Sequence, residues 1–443
     1  MKRWNRLTPA VAVLVAAITT AGVVAGACVG LDAESRTRFG AVRVVSQETE
    51  NGATPMFLGL PGGGRAVAWV SAPDGGSDGS LHLSVTPRGA AAPLPTVTVR
   101  DPLGAIEAHG EAPPQLAADA RGGISVLYTV GKEVPGERFP RSALRFIRSV
   151  DSGRTWSEPR TVNDGKEFGS HNFHALTAAS DGSLLATWLD ARKGKSGVWM
   201  SRSTDGGRTW EPNRPIYLDP TCPCCRTSVA VAGDGTIYVA WRAILPGDVR
   251  DVVVTRSSDG GQSWTTPVRA RADDWVYPGC PHAGPSLEVD AKGDVHVAWW
   301  TGKAGAAGVY YARSADGAKS FVAQPMATGE KARPAHVQLA VSGPRVLVAW
   351  DDGLGEVPRV LLRRSTDGGK SFSPEEPLSD QGVAASYPVL ALYGDSVAVA
   401  WSQTTAAEHR NKLASMVDMK DPRAVMPLPR VGQSEILMRT GAI

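Results

Sequence analysis

Short runs of alternating apolar and polar residues recur along the chain, and no long stretch shows the 3.6-residue period of an amphipathic helix. One strand-like run, ending in Val-Ala-Trp or a close variant, returns regularly. Its aromatic residue occurs seven times, at intervals of 51 to 60 residues, as Trp69, Tyr128, Trp188, Trp241, Trp299, Trp350 and Trp401. Each interval has room for four short strands and their turns, so the pattern predicts seven four-stranded antiparallel units.

A second motif, Ser-x-Asp-x-Gly-x-Thr/Ser-Trp/Phe, follows five of these aromatic residues. Its copies occupy residues 149–156, 203–210, 257–264, 314–321 and 365–372, with Ala318 in place of the Gly in the fourth copy. The Ser and Asp side chains can accept hydrogen bonds from nearby backbone N–H groups, and the Gly positions tolerate positive φ. The motif therefore predicts a hairpin corner with an aromatic ring packed beneath it.

The five copies resemble the Asp-box (BNR repeat) of sialidases and related β-propellers, over about residues 40–420. The resemblance implies an all-β fold, and with the seven aromatic residues we predict a β-propeller of seven four-stranded antiparallel blades. Six blades, the usual sialidase number, is the alternative. In that family the Asp-box is structural and lies away from the active face. Residues 41–46 can supply the outer strand of the last blade and close the ring.

The N-terminus predicts export. Basic residues precede an apolar run over residues 10–24, and small residues follow before Cys28, as in a signal peptide. The end of this segment resembles a bacterial lipobox, with Cys28 as the lipidated residue. We expect a signal peptide at 1–27, a lipid-anchor linker at 28–40, the propeller at 41–430 and a C-terminal tail at 431–443. Ordinary signal cleavage and an uncleaved anchor are the alternatives.

The predicted location is the bacterial periplasm or cell surface, with membrane contact only through the N-terminal lipid. The 47 Lys and Arg residues against 44 Asp and Glu residues leave a net charge of +3, which gives no indication of a nucleic-acid partner. An envelope protein or a glycan remains a possible partner.

The innermost strand of each propeller blade begins at one face, where the loops converge. The residues 13 to 19 positions before each repeated aromatic therefore belong at that face: Met56; His109 and Glu111; His171 and His174; Cys222, Cys224 and Cys225; Cys280 and His282; His336; and Tyr387. Four of the five Cys and five of the eight His residues fall in this set.

Thiolates and imidazoles gathered in this way suit a borderline or soft metal ion, copper or zinc. We predict a metal site formed by some of these residues: His171, His174, Cys222, Cys224, Cys225, Cys280, His282 and His336. Two disulfides are the alternative for the cysteines, and polar filling of the channel is the alternative for the histidines. In an extended strand Cys224 and Cys225 point to opposite faces, so both can join the site only if the chain turns at Pro223.

Sialidase chemistry is the rival prediction. In the alignment that the resemblance suggests, Asn172 stands where a sialidase has a carboxylate-binding Arg, and the loop 193–196 lacks the acid/base Asp. Tyr387 resembles the sialidase nucleophile and Arg359 a second Arg of the triad, whereas Cys280 and His282 occupy the strand head expected to carry the activating Glu. We expect no turnover of a sialoside.

The sequence therefore favours an exported propeller with a Cys/His site for metal handling or redox chemistry. An exo-α-sialidase and a non-catalytic protein- or glycan-binding propeller are the alternatives.

Overall fold

The computed structural model describes residues 38–46, 51–71, 79–137, 140–329, 336–352, 357–410 and 434–442. These residues form seven antiparallel sheets, in which the inner strand of each sheet contacts that of the next and the seventh contacts the first. The predicted all-β propeller of seven blades is confirmed, and the six-bladed alternative is wrong. The predicted export segment and Cys28 lie outside the described residues.

In the first blades the strands follow one another from the channel outward. Two short strands precede them, β1 (Arg38–Phe39) and β2 (Arg43–Val44). Blade one contains β3 (Gly52–Gly59), β4 (Arg65–Ser71), β5 (Ser80–Thr86) and β6 (Val97–Val99). Blade two contains β7 (Gln115–Ala118), β8 (Ile124–Lys132), β9 (Arg141–Ser149) and β10 (Arg160–Thr161). Blade three contains β11 (His171–Ala178), β12 (Leu184–Asp190), β13 (Gly197–Ser203) and β14 (Arg214–Tyr217).

The next three blades repeat this order. Blade four contains β15 (Ser228–Val231), β16 (Ile237–Arg242), β17 (Val252–Ser257) and β18 (Val268–Arg269). Blade five contains β19 (Ser286–Val289), β20 (Val295–Thr301), β21 (Gly308–Ser314) and β22 (Val322–Thr328). Blade six contains β23 (Gln338–Ser342), β24 (Arg345–Asp352), β25 (Arg359–Ser365) and β26 (Glu376–Pro377).

Blade seven joins the two ends of the described chain. It contains β27 (Val383–Tyr393), β28 (Ser396–Thr405) and β29 (Glu435–Ala442), and both β1 and β2 pair with β29. The predicted pairing of residues 41–46 with the last blade is thus present in β2. The propeller extends past the predicted boundary at residue 430, because β29 supplies the third strand of this blade rather than a separate tail.

Helical structure is slight in the part of the chain that the structure describes, where one short helix covers residues 406–410. None of the described helices has the length and apolar character needed to cross a membrane.

Seven apolar cores hold the described blades together, and each core lies between two neighbouring blades. The repeated aromatic residues occupy the second strand of every blade, are almost completely buried and pack toward the preceding blade. Trp299, for example, packs with Tyr238 and Ala240 of blade four. The seven-fold spacing in the sequence therefore reflects a packing unit that spans two blades.

The five Asp-boxes form the corners between the third and fourth strands of blades two to six. In every box the Ser Oγ accepts a hydrogen bond from the backbone N–H four residues later, at 2.8 to 2.9 Å. The Asp carboxylate accepts from the Thr or Ser that precedes the aromatic residue. These bonds satisfy backbone donors that the corner removes from the strand ladder.

Antiparallel pairing assigns the two ends of the ring. The inner strand of each blade begins where the second strand ends and the third begins, so the corner after the third strand lies at the opposite end. We call the end with the inner-strand starts the mouth face and the end with the Asp-boxes the box face.

Candidate metal centre

Strained backbone marks the start of inner strands at the mouth face. Thr54, Phe173, His282 and Tyr387 have φ between 49° and 56°, a left-handed conformation that costs a non-glycine residue about 1–3 kcal/mol. In blades one, three and seven a β-bulge accompanies it. Bulges re-aim side chains, so the strand heads depart from simple alternation at the positions where the sequence placed the candidate residues.

Three cysteines between β14 and β15 form one sulfur cluster. The Cys222 Sγ lies 3.0 Å from the Cys225 Sγ and 3.6 Å from the Cys224 Sγ, and the three sulfurs lie within 4.8 Å of one another. The chain turns at Pro223 and Cys224, which brings both Cys224 and Cys225 to the same side. All three side chains are buried. The turn at Pro223 that both cysteines need in order to join one site is therefore present.

Cys280 reaches this cluster from the connection between blades four and five. It packs against the three sulfurs and interacts with the Cys224 thiol. All four cysteines are free thiols. The structure thus holds four sulfurs in one place without a disulfide.

Two buried guanidinium groups lie beside the sulfurs. Arg242 has no exposed surface, and its hydrogen bonds go to the carbonyl oxygens of Ala283, Arg250 and Trp300. Arg250 donates from Nε to the carbonyl of Tyr277, and its buried Nη1 has no hydrogen-bond partner among the described residues. The Asp248 carboxylate, which is largely exposed, lies 3.9 Å from Arg250. A buried positive charge favours negative charge nearby, and the thiolate form of a cysteine can supply it.

The hydrogen bonds within the cluster favour one thiolate. Hydrogen bonds from the thiols of Cys224 and Cys225, with help from the Arg242 charge, hold the pKa of Cys222 well below its usual value. Burial raises the pKa of Cys225 to about 12. Cys222 is therefore the first of the three to ionise, and metal binding must displace the protons of the others.

His109 and His282 line the same cavity as Cys224 and Cys280, and their ring centroids are 5.9 Å apart. The Nδ1 of His282 donates to the carbonyl of Cys280, which leaves its Nε2 as the unprotonated nitrogen. The Nδ1 of His109 accepts from the backbone N–H of Glu111, so its proton is on Nε2. Burial is the largest cause that lowers the pKa of His109, to about 3. His282 can therefore act as a ligand, whereas His109 is a neutral hydrogen-bond donor.

His336 belongs to a separate group at the mouth face. Its Nδ1 donates to the Asp351 carboxylate at 2.6 Å, and its ring lies 3.8 Å from the Tyr387 ring, centroid to centroid. The Tyr387 backbone N–H donates to the same carboxylate. Burial and then the charge of Asp351 raise the pKa of Tyr387. A tyrosine with a raised pKa is a poorer nucleophile at neutral pH, because less of it ionises.

His171 and His174 have hydrogen-bond partners other than the cysteines. The two ring nitrogens of His171 face the Asp190 carboxylate and the Lys166 carbonyl, and both of these are acceptors. His174 is fully buried, and its Nε2 donates to the carbonyl of Leu127. The partners of both side chains belong to blades two and three and to the connection between them, and a β-bulge separates Asn172 from Ala175 in this strand.

A buried ion pair between Glu111 and Arg226, which directly follows Cys225, connects blades two and four. The Glu111 carboxylate accepts from the Gly284 N–H at 2.6 Å and from the Arg226 guanidinium at 3.3 Å. Arg226 also donates to the carbonyl of Val337. The sequence placed Glu111 at this face but gave it no role, and Arg226 directly after Cys225 was the available signal for its partner.

The positions aligned with sialidase residues have other contacts. Asn172 donates from Nδ2 to Glu107 at 3.2 Å, and burial raises the pKa of this carboxyl group to about 7. Arg359 begins β25, opposite Asp352, and its buried Nε has no hydrogen-bond partner among the described residues. An amide at position 172 cannot make the paired charged hydrogen bonds by which an Arg holds a carboxylate.

A cavity of about 670 Å³ opens beside the cluster. Cys224, Cys280 and His282 line it from one side, and His109 and Phe173 border the same space. Cys222 and Cys225 lie deeper, so an ion or small molecule reaches the sulfurs past Cys224 and Cys280 first.

Comparisons with solved structures identify the same architecture. A Dyadobacter fermentans protein of unknown function is 15% identical, with a TM-score of 0.54 over 92% of this chain and 99% of that one. An ulvan lyase bound to a saccharide of GlcA and Rha3S is 15% identical, with a TM-score of 0.52 over 81% and 93% of the two chains. A Hadza microbial sialidase is 17% identical, with a TM-score of 0.46 over 68% and 64%. At these identities the first two matches show the fold alone.

None of the curated protein sequences matches the chain. The model of the BNR repeat-like domain matches residues 68–397, most of the chain. This protein therefore belongs to the BNR repeat-like family.

Proposed function

We propose that this propeller binds a thiophilic metal ion, Zn(II) or Cu(I), in the sulfur cluster at its mouth face, and that it serves metal handling. The observation that supports the proposal most directly is the buried group of Cys222, Cys224 and Cys225, whose sulfurs lie within 4.8 Å of one another. Ligand sulfurs around a tetrahedral zinc ion, with bonds of ~2.3 Å, stand about 3.8 Å apart. The observed 3.6 Å between Cys222 and Cys224 is close to this separation.

The charges at the site support the same conclusion. Zn(II) with four thiolates carries two net negative charges, and so does Cu(I) with three. Arg242 and Arg250 supply two buried positive charges beside the sulfurs, which would compensate part of the charge of either complex, since Arg250 also faces Asp248 at 3.9 Å. Without such compensation a buried charged group is costly.

The two ions differ in their need for Cys280. Zinc completes a tetrahedral shell with a fourth ligand, for which Cys280, packed against the cluster, and His282, which lines the same cavity, are the candidates. Cu(I) needs fewer ligands, and Cys222, Cys224 and Cys225 would provide three. The proposed location remains the cell envelope, as the N-terminal sequence predicts.

Metal titration of the reduced full chain tests this proposal. We expect one ion per chain, measured by elemental analysis after gel filtration and by competition with a chromophoric chelator. Cys222→Ser should abolish binding, because this sulfur lies between the other two. Cys280→Ser should weaken zinc at least tenfold and leave Cu(I) nearly unchanged.

Ser257→Ala, in an Asp-box, is the matched control and should bind as the wild-type chain does. Retention of full metal binding by Cys222→Ser, or no binding of either ion by the reduced wild-type chain, would contradict the proposal.

A further inference from the structure

The four cysteines lie in a sequence that leads from the cavity into the protein. Cys280 is half-buried and lines the cavity together with Cys224. Cys224 interacts with Cys280 on one side and lies 3.6 Å from Cys222 on the other. Cys222 in turn lies 3.0 Å from Cys225. Each sulfur is therefore next to the one that follows it along this path.

We propose that these thiols form a disulfide relay, in which a small disulfide oxidant enters at Cys280 and the oxidation ends in a Cys222–Cys225 disulfide. The relay makes the proposed metal site redox-sensitive, and this consequence rests on the proposed function. Closing the inner pair removes two sulfur ligands, so the oxidised protein releases the ion.

The relay balances as successive thiol–disulfide exchanges. The Cys280 thiolate attacks an oxidant RSSR, which gives a mixed disulfide and releases one RS⁻. Cys224 attacks the Cys280 sulfur and expels the second RS⁻, leaving a Cys224–Cys280 disulfide. Cys222 then attacks the Cys224 sulfur, with Cys280 as the leaving thiolate. Cys225 finally attacks Cys222 and frees Cys224. In total, two protein thiols lose two electrons and two protons, and RSSR becomes two RSH.

The inner pair is the expected end point for geometric reasons. Cys222 and Cys225 have the C-x-x-C spacing, and their sulfurs have only about 1 Å to approach before reaching the ~2.05 Å of a disulfide bond. Both are almost completely buried, so an external thiol cannot reach the bond directly. The outer pair borders the cavity and stays open to exchange.

Oxidation of the reduced, metal-free full chain with oxidised glutathione tests the relay. Free thiols are blocked with N-ethylmaleimide at successive times, and the pairing is read by mass spectrometry of non-reduced peptides. Cys222 and Cys225 lie within one tryptic peptide and Cys280 in another, so inner and outer pairs give different products. The expected final product is the Cys222–Cys225 disulfide with Cys224 and Cys280 alkylated.

Two variants examine the order of the steps. Cys280→Ser should slow oxidation at least tenfold and still end in the inner disulfide. Cys225→Ser should block only the last exchange, so the disulfide should stop at Cys222–Cys224 or Cys224–Cys280. A wild-type end product that contains only a Cys224–Cys280 bond, or undiminished oxidation of Cys280→Ser, would overturn the relay.

The outcomes separate the two proposals. Inner disulfide formation in a chain that binds no metal would refute the metal function and leave the relay intact. Metal binding without inner disulfide formation would refute the relay alone. If both hold, oxidised glutathione should release at least 90% of the bound zinc from the wild-type chain, and the release should parallel formation of the inner disulfide.

Discussion

The two faces of the ring use the same blades differently. At the box face five corners repeat one set of hydrogen bonds, with the Ser Oγ to backbone distance constant at 2.8 to 2.9 Å. At the mouth face each strand head carries different residues, from the cysteines after blade three to the His336 and Tyr387 pair. The choice of residues at each corner is constrained, because the Ser side chain accepts a hydrogen bond from a backbone N–H group of the turn. The cysteines precede their inner strands and Tyr387 lies at a bulge, so the ladder does not fix these side chains and they can carry chemistry.

The faces also differ in what sets the pKa of their acidic and basic groups. At the box face hydrogen bonds to Ser263, Thr209 and similar neighbours lower the pKa of the exposed Asp carboxyl groups, to about 2 in Asp205. At the mouth face burial is the leading cause, as in His109 and Glu107. The first arrangement stabilises an exposed turn, whereas the second favours the neutral form of each buried group.

The largest expected difference between the faces concerns their ion pairs. Glu111→Ala leaves the Arg226 guanidinium buried without a counter-charge, which should reduce the free energy of unfolding by about 3–5 kcal/mol. Glu211→Ala, beside an Asp-box, breaks a partly exposed pair with Arg214 and should cost less than about 1 kcal/mol. Urea denaturation followed by tryptophan fluorescence compares them. Equal losses would show that burial does not distinguish the two faces.

A smaller effect on the free energy of unfolding is expected when the pH is lowered. Burial lowers the pKa of His174 to about 4, whereas the unfolded chain binds the proton near pH 6.5. Stability from this group is complete above pH 6.5 and falls as the pH drops toward 4, by about 2 kcal/mol at pH 5. In His174→Gln the difference in unfolding free energy between pH 7 and pH 5 should shrink by this amount. An unchanged difference would contradict the neutral assignment of His174.

The smallest expected effect lies in the one divergent box. Ala318 adopts φ 62° where the other four copies have Gly. Ala318→Gly should stabilise the protein by about 0.5–1 kcal/mol, because the left-handed region strains a residue with a Cβ. The reverse change, Gly207→Ala, should destabilise, since its Cβ would lie 2.0 Å from the Phe146 ring. Thermal unfolding of both variants measures the effect, and a lower melting temperature for Ala318→Gly would contradict it.

The repeat made the fold predictable from the sequence. Seven aromatic residues and five boxes fix the number of blades, because each marks a packing unit that the ring cannot omit. The sequence also identified the cysteines and Pro223 as belonging to one site. It could not show that His171 and His174 have hydrogen-bond partners such as Asp190 and the Leu127 carbonyl, because these partners come from other strands. Arg242 and Arg250 are ordinary in the sequence and gain importance only through their burial beside sulfur.

The closing strands have a consequence for how the protein folds. Arg38 pairs with Ala442, a contact between residues about 400 positions apart. If the intervening blades were unstructured, bringing these ends together would cost about 3 kcal/mol more than closing a ten-residue hairpin. Once blades one to six have stacked, the curvature of the ring already holds the two ends near each other and removes most of this entropy cost. Completion of blade seven is therefore expected to be the last step of folding, and the earlier blades act as its template.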